Sequence, residues 1–294
     1  MKIELRGIFP ALATPYTEDE RLDEEGLRKL VRHLKPHVAG YVVNGTTGDF
    51  PLLTPEERRR AIEVLVEEVG GERLVIAGTG AISTREALAL SHTAHEVGAD
   101  AVLLVAPYYL RPSAAGMQRH FIDVAKSVPE LPVLLYNFPQ LVGQPIPLGV
   151  IEAVYEAVGN VVGMKDTSGD LAYMLTVIER LPQAFGVLVG RGTVVLPALA
   201  SGARGAILAG ANLIPERWQR VLQAVQEGDL ETARAWQYRN QRVSRIVGKG
   251  GSLAVRAGLE MLGMPIGPSR RPLTPEGILT ESDLQALREA LEES

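Results

Sequence analysis

Eight short apolar segments, spread over the first 210 residues, constrain most strongly what this chain can fold into. Each has five to eight residues, is rich in Val, Ile, Leu or Ala, and is bounded by Gly or Pro, as strands buried on both faces are. The segments span residues 8–14, 40–45, 74–80, 101–107, 132–139, 161–165, 186–192 and 205–210. The sequence therefore predicts an interior sheet covered on both sides.

Between these segments lie amphipathic stretches that carry helix-start signals. Thr54 is followed by Pro55 at the first helical position and by Glu57 three residues after the cap, which is typical of a capping box. The stretch 83–98 begins with Ser and Thr and closes on Gly98, a residue suited to a helix stop. Strands that alternate with helices predict a (β/α)8 barrel or an open, doubly wound sheet.

The count of eight strands favours the barrel, an α/β fold of the TIM type that needs roughly 250 residues. An open sheet that binds a dinucleotide has less support, because ALATPYTEDE (11–20) stands where its Gly-rich fingerprint would follow the first strand. We therefore expect a (β/α)8 TIM barrel over residues 1–228 and a C-terminal helical extension over residues 229–294.

Composition excludes several classes of function. The 294 residues carry a net charge of −5 and no dense basic patch, so nucleic acid is not expected as a partner. No apolar run approaches the roughly 20 residues that span a bilayer, and no secretory leader is recognisable, so no membrane partner is expected. The absence of cysteine removes disulfides, thiolate metal sites and cysteine nucleophiles, and it fits a reducing, cytoplasmic location.

The residues that end the predicted strands are the candidates for chemistry, because active sites of such barrels lie at the C-terminal ends of the strands. Hydroxyls, backbone amides, tyrosines and one lysine meet there, and carboxylates are scarce. In chain order these ends hold Thr14, Gly45-Thr46-Thr47-Gly48, Gly78-Thr79-Gly80, Tyr108-Tyr109, Tyr136-Asn137, Lys165 and Gly190-Arg191-Gly192.

Lys165 differs from the other lysines because it ends an apolar segment. The others fall at the terminus, on predicted helices or in a glycine-rich turn, and they are Lys2, Lys29, Lys35, Lys126 and Lys249. Burial disfavours the ammonium form and so supplies a free amine, which attacks ketones and aldehydes to form a Schiff base. A lysine paired with a carboxylate across the barrel is the structural alternative.

Two further strand ends suit a reaction at such an imine. Tyr136 carries a phenol that can donate and accept a proton, although a buried tyrosine can also simply bond a backbone group. The Gly45–Gly48 segment can present successive amides, together with the hydroxyls of Thr46 and Thr47, to a carboxylate. Gly-Thr pairs are also common in plain turns, so this segment is not specific by itself.

Metal and phosphate sites have little support. His92 and His95 are three residues apart on one predicted helix that packs outside the barrel, so surface histidines are the better interpretation. The Gly248–Gly251 run can cradle a phosphate, but no strand leads into it, and a plain turn is preferred. We therefore expect no metal site.

The strand ends resemble motifs of a known family, the dihydrodipicolinate synthase/N-acetylneuraminate lyase family of pyruvate-dependent class I aldolases. The similarity covers nearly the whole chain, in order and with the family's spacing. The matching segments are GTTGDFPLLTPEER (45–58), IAGTG (76–80), PYYLRPS (107–113), YNFP (136–139), GMKDTSGD (163–170) and GPSRRPL (267–273).

The resemblance implies a role for each matching residue. Lys165 would form the Schiff base with pyruvate or another 2-oxo acid, and Tyr136 would shuttle protons. Thr46 would link Tyr136 to Tyr109, which in this family usually reaches into a neighbouring subunit. The segment Gly45–Thr47 would hold the pyruvate carboxylate, with the amides and hydroxyls of Thr46 and Thr47. The resemblance also implies no metal, no organic cofactor and a homotetramer built as a dimer of dimers.

The family pattern changes at two substrate-binding positions. Dihydrodipicolinate synthases carry an arginine two residues after the YN-x-P motif, which binds a carboxylate of the semialdehyde, and Leu141 occupies that position here. Losing such a charge-assisted contact removes on the order of 2 kcal/mol of binding. Arg191 follows Gly190 where relatives commonly place a small or acidic residue. It either anchors an anionic group at the far end of the substrate or pairs with a helix carboxylate.

The expected function is therefore a class I aldolase that forms or cleaves a carbon–carbon bond between pyruvate and an aldehyde. Leu141 and the GMKDTSGD segment resemble aldolases of 2-keto-3-deoxy sugar acids or 4-hydroxy-2-oxoglutarate more than dihydrodipicolinate synthases. The alternatives are 4-hydroxy-tetrahydrodipicolinate (dihydrodipicolinate) synthase, a dehydratase that uses the same imine, and a regulatory paralogue that keeps the barrel without the activity.

Overall fold

The structure of the protein, a computed structural model, describes residues 3–293, and Lys2 lies outside them. Its eight strands correspond one to one with the eight apolar segments. They are β1 Gly7–Pro10, β2 Gly40–Val43, β3 Leu74–Gly78, β4 Ala101–Val105, β5 Val133–Asn137, β6 Val161–Asp166, β7 Gly186–Val189 and β8 Gly205–Leu208. Every strand residue except Leu74 and Val162 is buried, as in strands covered on both faces.

The strands form one parallel sheet that nearly closes on itself. Their order is β1-β8-β7-β6-β5-β4-β3-β2. The chain just beyond β1 reaches β2, where Ala11 pairs with Val42 and the Leu12 amide donates to the Val42 carbonyl at 2.9 Å. This architecture is the TIM barrel that the sequence predicts.

Helices alternate with the strands and pack against one another around the barrel. They are α1 Glu24–Leu34, α2 Pro55–Val69, α3 Thr84–Glu96, α4 Ala114–Ser127, α5 Pro139–Val142, α6 Leu148–Ala157, α7 Leu171–Arg180, α8 Val195–Ala200, α9 Pro215–Gln226, α10 Leu230–Met261 and α11 Glu281–Glu292. Within residues 3–293, none of these helices has both the length and the apolar character that a bilayer span requires.

Both predicted helix starts are confirmed. The Thr54 hydroxyl accepts from the Glu57 amide at 3.2 Å, and the Glu57 carboxylate accepts from the Thr54 amide at 2.9 Å, which is the capping box before α2. Ser83 caps α3 by accepting from the Glu86 amide at 3.2 Å. Gly98 follows the end of α3 with φ of 88°, a backbone conformation that suits glycine.

The C-terminal extension forms part of the barrel's mouth. Helix α10 begins at Leu230, next to the predicted boundary, and packs against α9 and against the 3-10 turns Gly192–Val194 and Ala209–Asn212. Gly251 interrupts this helix with φ of 55° and ψ of −132°. The interpretation of Gly248–Gly251 as a plain turn is therefore wrong, because the run lies within a long helix that a glycine at positive φ kinks.

A buried asparagine joins the segments that follow β1 and β8. Asn212 Nδ2 donates to the carbonyls of Ala11 at 2.7 Å and Ala209 at 2.8 Å, and Asn212 Oδ1 accepts from the Ala13 amide at 3.2 Å. One side chain thus satisfies three backbone groups where the sheet closes.

Replacing Asn212 with alanine should lower the free energy of unfolding by about 3 kcal/mol, because three backbone groups lose a partner in a buried site. Urea denaturation measures the loss. Asn240→Ala is the matched control, since Asn240 is equally buried but its side-chain amide bonds no other described residue. It should cost less than about 1.5 kcal/mol. Equal losses would show that the bonds of Asn212 do not stabilise the closure.

Candidate active site

Lys165 is the penultimate residue of β6, at the mouth of the barrel, and it is 4% exposed. The register of β5 with β6 places Lys165 beside Tyr136, and Lys165 Nζ lies 4.3 Å from the centroid of the Tyr136 ring. Within residues 3–293, no carboxylate oxygen lies within 4.0 Å of this nitrogen. The alternative of a lysine paired across the barrel therefore does not hold.

The carboxylate of the next residue, Asp166, forms hydrogen bonds with groups other than Lys165. Asp166 accepts hydrogen bonds from Asn137 Nδ2 at 2.6 Å and from the Ser168 hydroxyl at 2.7 Å. Burial raises the pKa of this carboxyl, and the bonds from Ser168 and Asn137 oppose the rise. Because successive strand residues point to opposite sides, Asp166 faces away from the Lys165 side chain and leaves its amine without a counter-ion.

The Tyr136 and Thr46 hydroxyls are 3.4 Å apart, and either oxygen can be the donor. Tyr136 is buried at the end of β5, and its ring packs beside Phe138 with centroids 5.9 Å apart. A phenol held between a lysine amine and a second hydroxyl can pass a proton in either direction. The structure thus brings together Lys165, Tyr136 and Thr46 as the sequence predicts.

The turn Thr46–Gly48 follows β2, and hydrogen bonds to its backbone groups hold it in place. Its Gly48 carbonyl accepts from the Thr14 hydroxyl at 2.7 Å, and its Gly48 amide donates to the Gly45 carbonyl at 3.0 Å. Thr46 and Thr47 are the first two residues of this 3-10 turn, and the first amides of a helical turn have no hydrogen-bond acceptor within it. Both threonines line the cavity, so these amides and hydroxyls are available to an anion.

The cavity beside Lys165 has a volume of about 370 Å³. Gly190 also lines this cavity, and its lack of a side chain leaves space for the side chain of Lys165. A Cβ atom at position 190 would lie 2.0 Å from Thr167 Oγ1 and 2.9 Å from Lys165 Cε. The Gly190 amide also donates to the Asp166 carbonyl at 2.6 Å, which fixes this backbone against β6. A residue with a side chain at position 190 would have to displace the Thr167 hydroxyl and Lys165 Cε.

Arg191 and Leu141 line the cavity on the two sides of β6. Arg191 follows β7, and Leu141 lies in α5 after β5. Leu141 is 61% exposed, whereas Arg191 is half-buried. Arg191 forms no ion pair with any residue from 3 to 293, so the alternative of a helix carboxylate as its partner does not hold within this chain.

Two predicted site residues lie outside the cavity wall. Tyr109 is 87% exposed, adopts a left-handed backbone with φ of 69°, and bonds neither Thr46 nor Tyr136. The Thr46–Tyr109 link that the resemblance implies is therefore not formed within one chain. Gly45 is buried just before the turn and contributes its carbonyl as an acceptor, not a surface of the cavity.

Sequence analysis missed Thr167 and Asp49, which also line the cavity. Thr167 Oγ1 is buried and bonds no described residue. Its spacing of two residues from Lys165, which places both side chains on one side of the strand, is the signal that was available. The Asp49 carboxylate lies 3.5 Å from Arg256 Nη2. Burial raises the Asp49 pKa, and the charge of Arg256 opposes that rise.

Another part of the wall comes from residues 248–253 at the kink of α10, together with Ser244. No sequence pattern relates this segment to the strand ends, because its place over the barrel follows from how α10 packs. His92 and His95, by contrast, are exposed on α3. Within residues 3–293, no group of three or more histidine, aspartate or glutamate side chains is arranged to hold a metal ion.

Comparisons with known proteins show which proteins this chain is similar to. The model of the dihydrodipicolinate synthetase family matches residues 4–294. A 4-hydroxy-tetrahydrodipicolinate synthase from Methanopyrus kandleri is 41% identical over 276 residues, which cover 93% of this chain and 92% of that protein. The crystal structure of dihydrodipicolinate synthase from Aquifex aeolicus has a TM-score of 0.92 and 34% identity, covering 98% of this chain and 97% of that one. A chloride-inhibited dihydrodipicolinate synthase from Acinetobacter baumannii, complexed with pyruvate, has a TM-score of 0.92 and 32% identity, covering 98% of both chains.

Gly190→Ala should slow the trapping of pyruvate on this chain by borohydride at least about tenfold, because the added methyl group collides with the Lys165 side chain. Inactivation rates at saturating borohydride measure the effect. Gly149→Ala in α6 is the control, since a Cβ there meets nothing within 4 Å, and it should react as the wild type does. Thr167→Ala added to Gly190→Ala should restore part of the rate. Trapping of Gly190→Ala at the wild-type rate would contradict this account.

Proposed function

Because this chain belongs to the dihydrodipicolinate synthetase family, we propose that it condenses pyruvate with aspartate semialdehyde, as a 4-hydroxy-tetrahydrodipicolinate synthase. The chain is a pyruvate-dependent lyase of the class I, Schiff-base type. The observation that carries the proposal is the Lys165 amine, buried without a carboxylate partner among the described residues and packed against the Tyr136 ring.

The first step joins pyruvate to the enzyme. Lys165 Nζ adds to C2 of pyruvate, the C2 oxygen leaves as water, and a carbon–nitrogen double bond replaces the carbonyl. Tyr136, whose ring touches the amine, supplies the proton that the departing oxygen needs. Thr46 and Thr47 hold the pyruvate carboxylate with the amides and hydroxyls that open the turn after β2.

The second step makes the carbon–carbon bond. Tyr136, left without its proton by the first step, takes one from C3, which converts the protonated imine into an enamine in which the nitrogen has taken up the electron pair. C3 then attacks the aldehyde carbon, and the aldehyde oxygen takes a proton from Tyr136. Thr46, 3.4 Å from the Tyr136 hydroxyl, is placed to accept and return that proton. The amino group of the former semialdehyde then attacks C2 of the imine, which closes the ring of the product and releases Lys165 as the free amine.

A second subunit completes the proton relay in this proposal. Tyr109 is exposed in the single chain, and its left-handed backbone holds the side chain away from its own barrel. A tyrosine held in a costly conformation on the surface suits a role in a neighbouring site. We infer that Tyr109 reaches a neighbouring subunit, in line with the homotetramer that the resemblance implies.

The relatives do not support the expectation that this chain lies closer to aldolases of 2-keto-3-deoxy sugar acids or 4-hydroxy-2-oxoglutarate. The protein from Methanopyrus kandleri, at 41% identity, and the enzyme from Aquifex aeolicus, at 34%, both carry synthase names. A sugar-acid aldolase is kept as a second candidate because of Leu141, an exposed apolar side chain in the cavity wall where synthases place an arginine.

Pyruvate and borohydride should together label Lys165 irreversibly, because borohydride reduces the imine to a secondary amine that water cannot cleave. Peptide mapping should place the adduct on the peptide that contains Lys165, and Lys165→Ala should abolish the label. Lys126→Ala, at an exposed lysine of α4, is the control and should be labelled like the wild type. Label on a different lysine, or none on the wild type, would remove the basis of the proposal.

The choice of aldehyde separates the two candidate functions. At fixed pyruvate, a synthase should use aspartate semialdehyde with a kcat/KM at least about tenfold above that for glyceraldehyde, because only the semialdehyde offers a carboxylate for a charge-assisted bond. Initial rates of condensation with each aldehyde measure this ratio. The reverse order would favour the sugar-acid aldolase, and equal values would favour neither.

A further inference from the structure

Arg191 gives the cavity wall a guanidinium that no described residue neutralises. We propose that Arg191 binds a carboxylate of the aldehyde substrate, remote from the reacting carbonyl, and thereby makes the site selective for anionic aldehydes. This inference rests on the proposed function, because it concerns the second substrate of the same condensation.

The backbone that carries Arg191 is held rigidly by α10. Gln237 Nε2 donates to the Gly192 carbonyl at 2.9 Å, and Gln237 Oε1 accepts from the Leu196 amide at 2.9 Å. Gln241 Nε2 donates to the Thr193 carbonyl at 3.1 Å. The turn after Arg191 is thus bonded to α10 at two places and the start of α8 at a third, so the arginine starts from a fixed position.

The Arg191 side chain packs over Gly169, a residue with φ of 77°. A Cβ atom on Gly169 would lie 3.4 Å from Arg191 Nε, within contact distance. The neighbouring acid, Asp170, is occupied as the cap of α7, where its Oδ1 accepts from the Tyr173 amide at 3.0 Å. The guanidinium is therefore supported on one side and has no acid of the described chain within 4.0 Å.

Of the other two cations in the wall, one is the reacting amine and the other is paired with an acid. Lys165 is the amine that forms the imine, and Lys249 Nζ lies 2.5 Å from Asp283 Oδ2. Across β6 from Arg191, the wall offers the apolar Leu141. Among the cavity residues that the structure describes, Arg191 is thus the cation available to an anionic group of the second substrate.

Arg191 is adjacent in sequence to the residue that packs against Lys165. Consecutive Cα atoms lie about 3.8 Å apart, and the preceding residue, Gly190, packs against Lys165 Cε. Arg191 therefore follows directly on the part of the wall beside Lys165, where a carboxylate carried by a bound aldehyde can meet it. The planar guanidinium can bind that carboxylate with two parallel hydrogen bonds, a geometry that lysine does not offer.

A matched pair of 2-oxo acids tests this inference without the condensation. The acids 2-oxoheptanedioate and 2-oxoheptanoate each form an imine at C2 and differ in whether the chain ends in a carboxylate or a methyl group. The first reproduces the carbon chain that pyruvate and aspartate semialdehyde form together. The half-saturating concentration of each acid in borohydride trapping is measured on the wild type and on Arg191→Met, with pyruvate trapped in parallel.

Arg191→Met should raise the half-saturating concentration of 2-oxoheptanedioate by roughly 10- to 100-fold and that of 2-oxoheptanoate by less than about threefold, because it removes one charge-assisted pair. Arg191→Lys should recover part of the loss, since it restores the charge without the planar fork. Arg234→Met, at an exposed arginine of α10 outside the cavity, is the control and should match the wild type.

The measurement with pyruvate distinguishes failure of the proposed function from failure of the inference about Arg191. If the wild type traps no pyruvate, the proposed function fails and this inference falls with it. If pyruvate is trapped normally by both proteins but Arg191→Met changes the two longer acids equally, or changes neither, Arg191 is not the anchor and the proposed function stands. A wild type that traps pyruvate but not 2-oxoheptanedioate would also overturn the anchor.

Discussion

An amine buried without a counter-ion, at the mouth of a parallel barrel, is the constraint on which the rest of the site depends. No carboxylate oxygen of residues 3–293 lies within 4.0 Å of Lys165 Nζ, so no ion pair competes with a substrate carbonyl for this nitrogen. The fold keeps Lys165 in this condition in two ways. The alternation of β6 turns Asp166 to the opposite side, where Asn137 and Ser168 occupy its carboxylate. The absence of a side chain at Gly190 leaves the amine room to meet a carbonyl.

The helices beyond the barrel contribute to the chemistry as well as to the fold. Without α10, the strand ends would open directly to water, and the turn that carries Arg191 would lose the bonds from Gln237 and Gln241. The kink at Gly251 brings the helix backbone itself into the cavity wall. The extension is therefore part of the wall of the candidate active site.

Local patterns in the sequence were sufficient to predict the barrel and the central pair of residues. Short buried strands bounded by Gly or Pro can be recognised directly in the sequence. The rule that catalytic groups lie at the ends of such strands then selects Lys165 and Tyr136. The kink at Gly251 was missed because a run of glycines does not reveal whether a helix continues through it. Tyr109 is a different case, because a single chain shows only that its side chain is exposed, with φ of 69°.

Leu141 and the synthase names of the relatives point in different directions, and the geometry of the cavity can reconcile them. Selectivity for a carboxylate requires a guanidinium within reach of it, and it does not require that the guanidinium come from a particular strand. Positions 141 and 191 flank the same strand, β6, so a cation can be lost after β5 and supplied after β7 while the imine stays in place. The exposed apolar side chain of Leu141 then offers a carboxylate no charge-assisted bond on its own side. A single-residue motif is therefore a weaker guide to the substrate than the full set of charges around the imine.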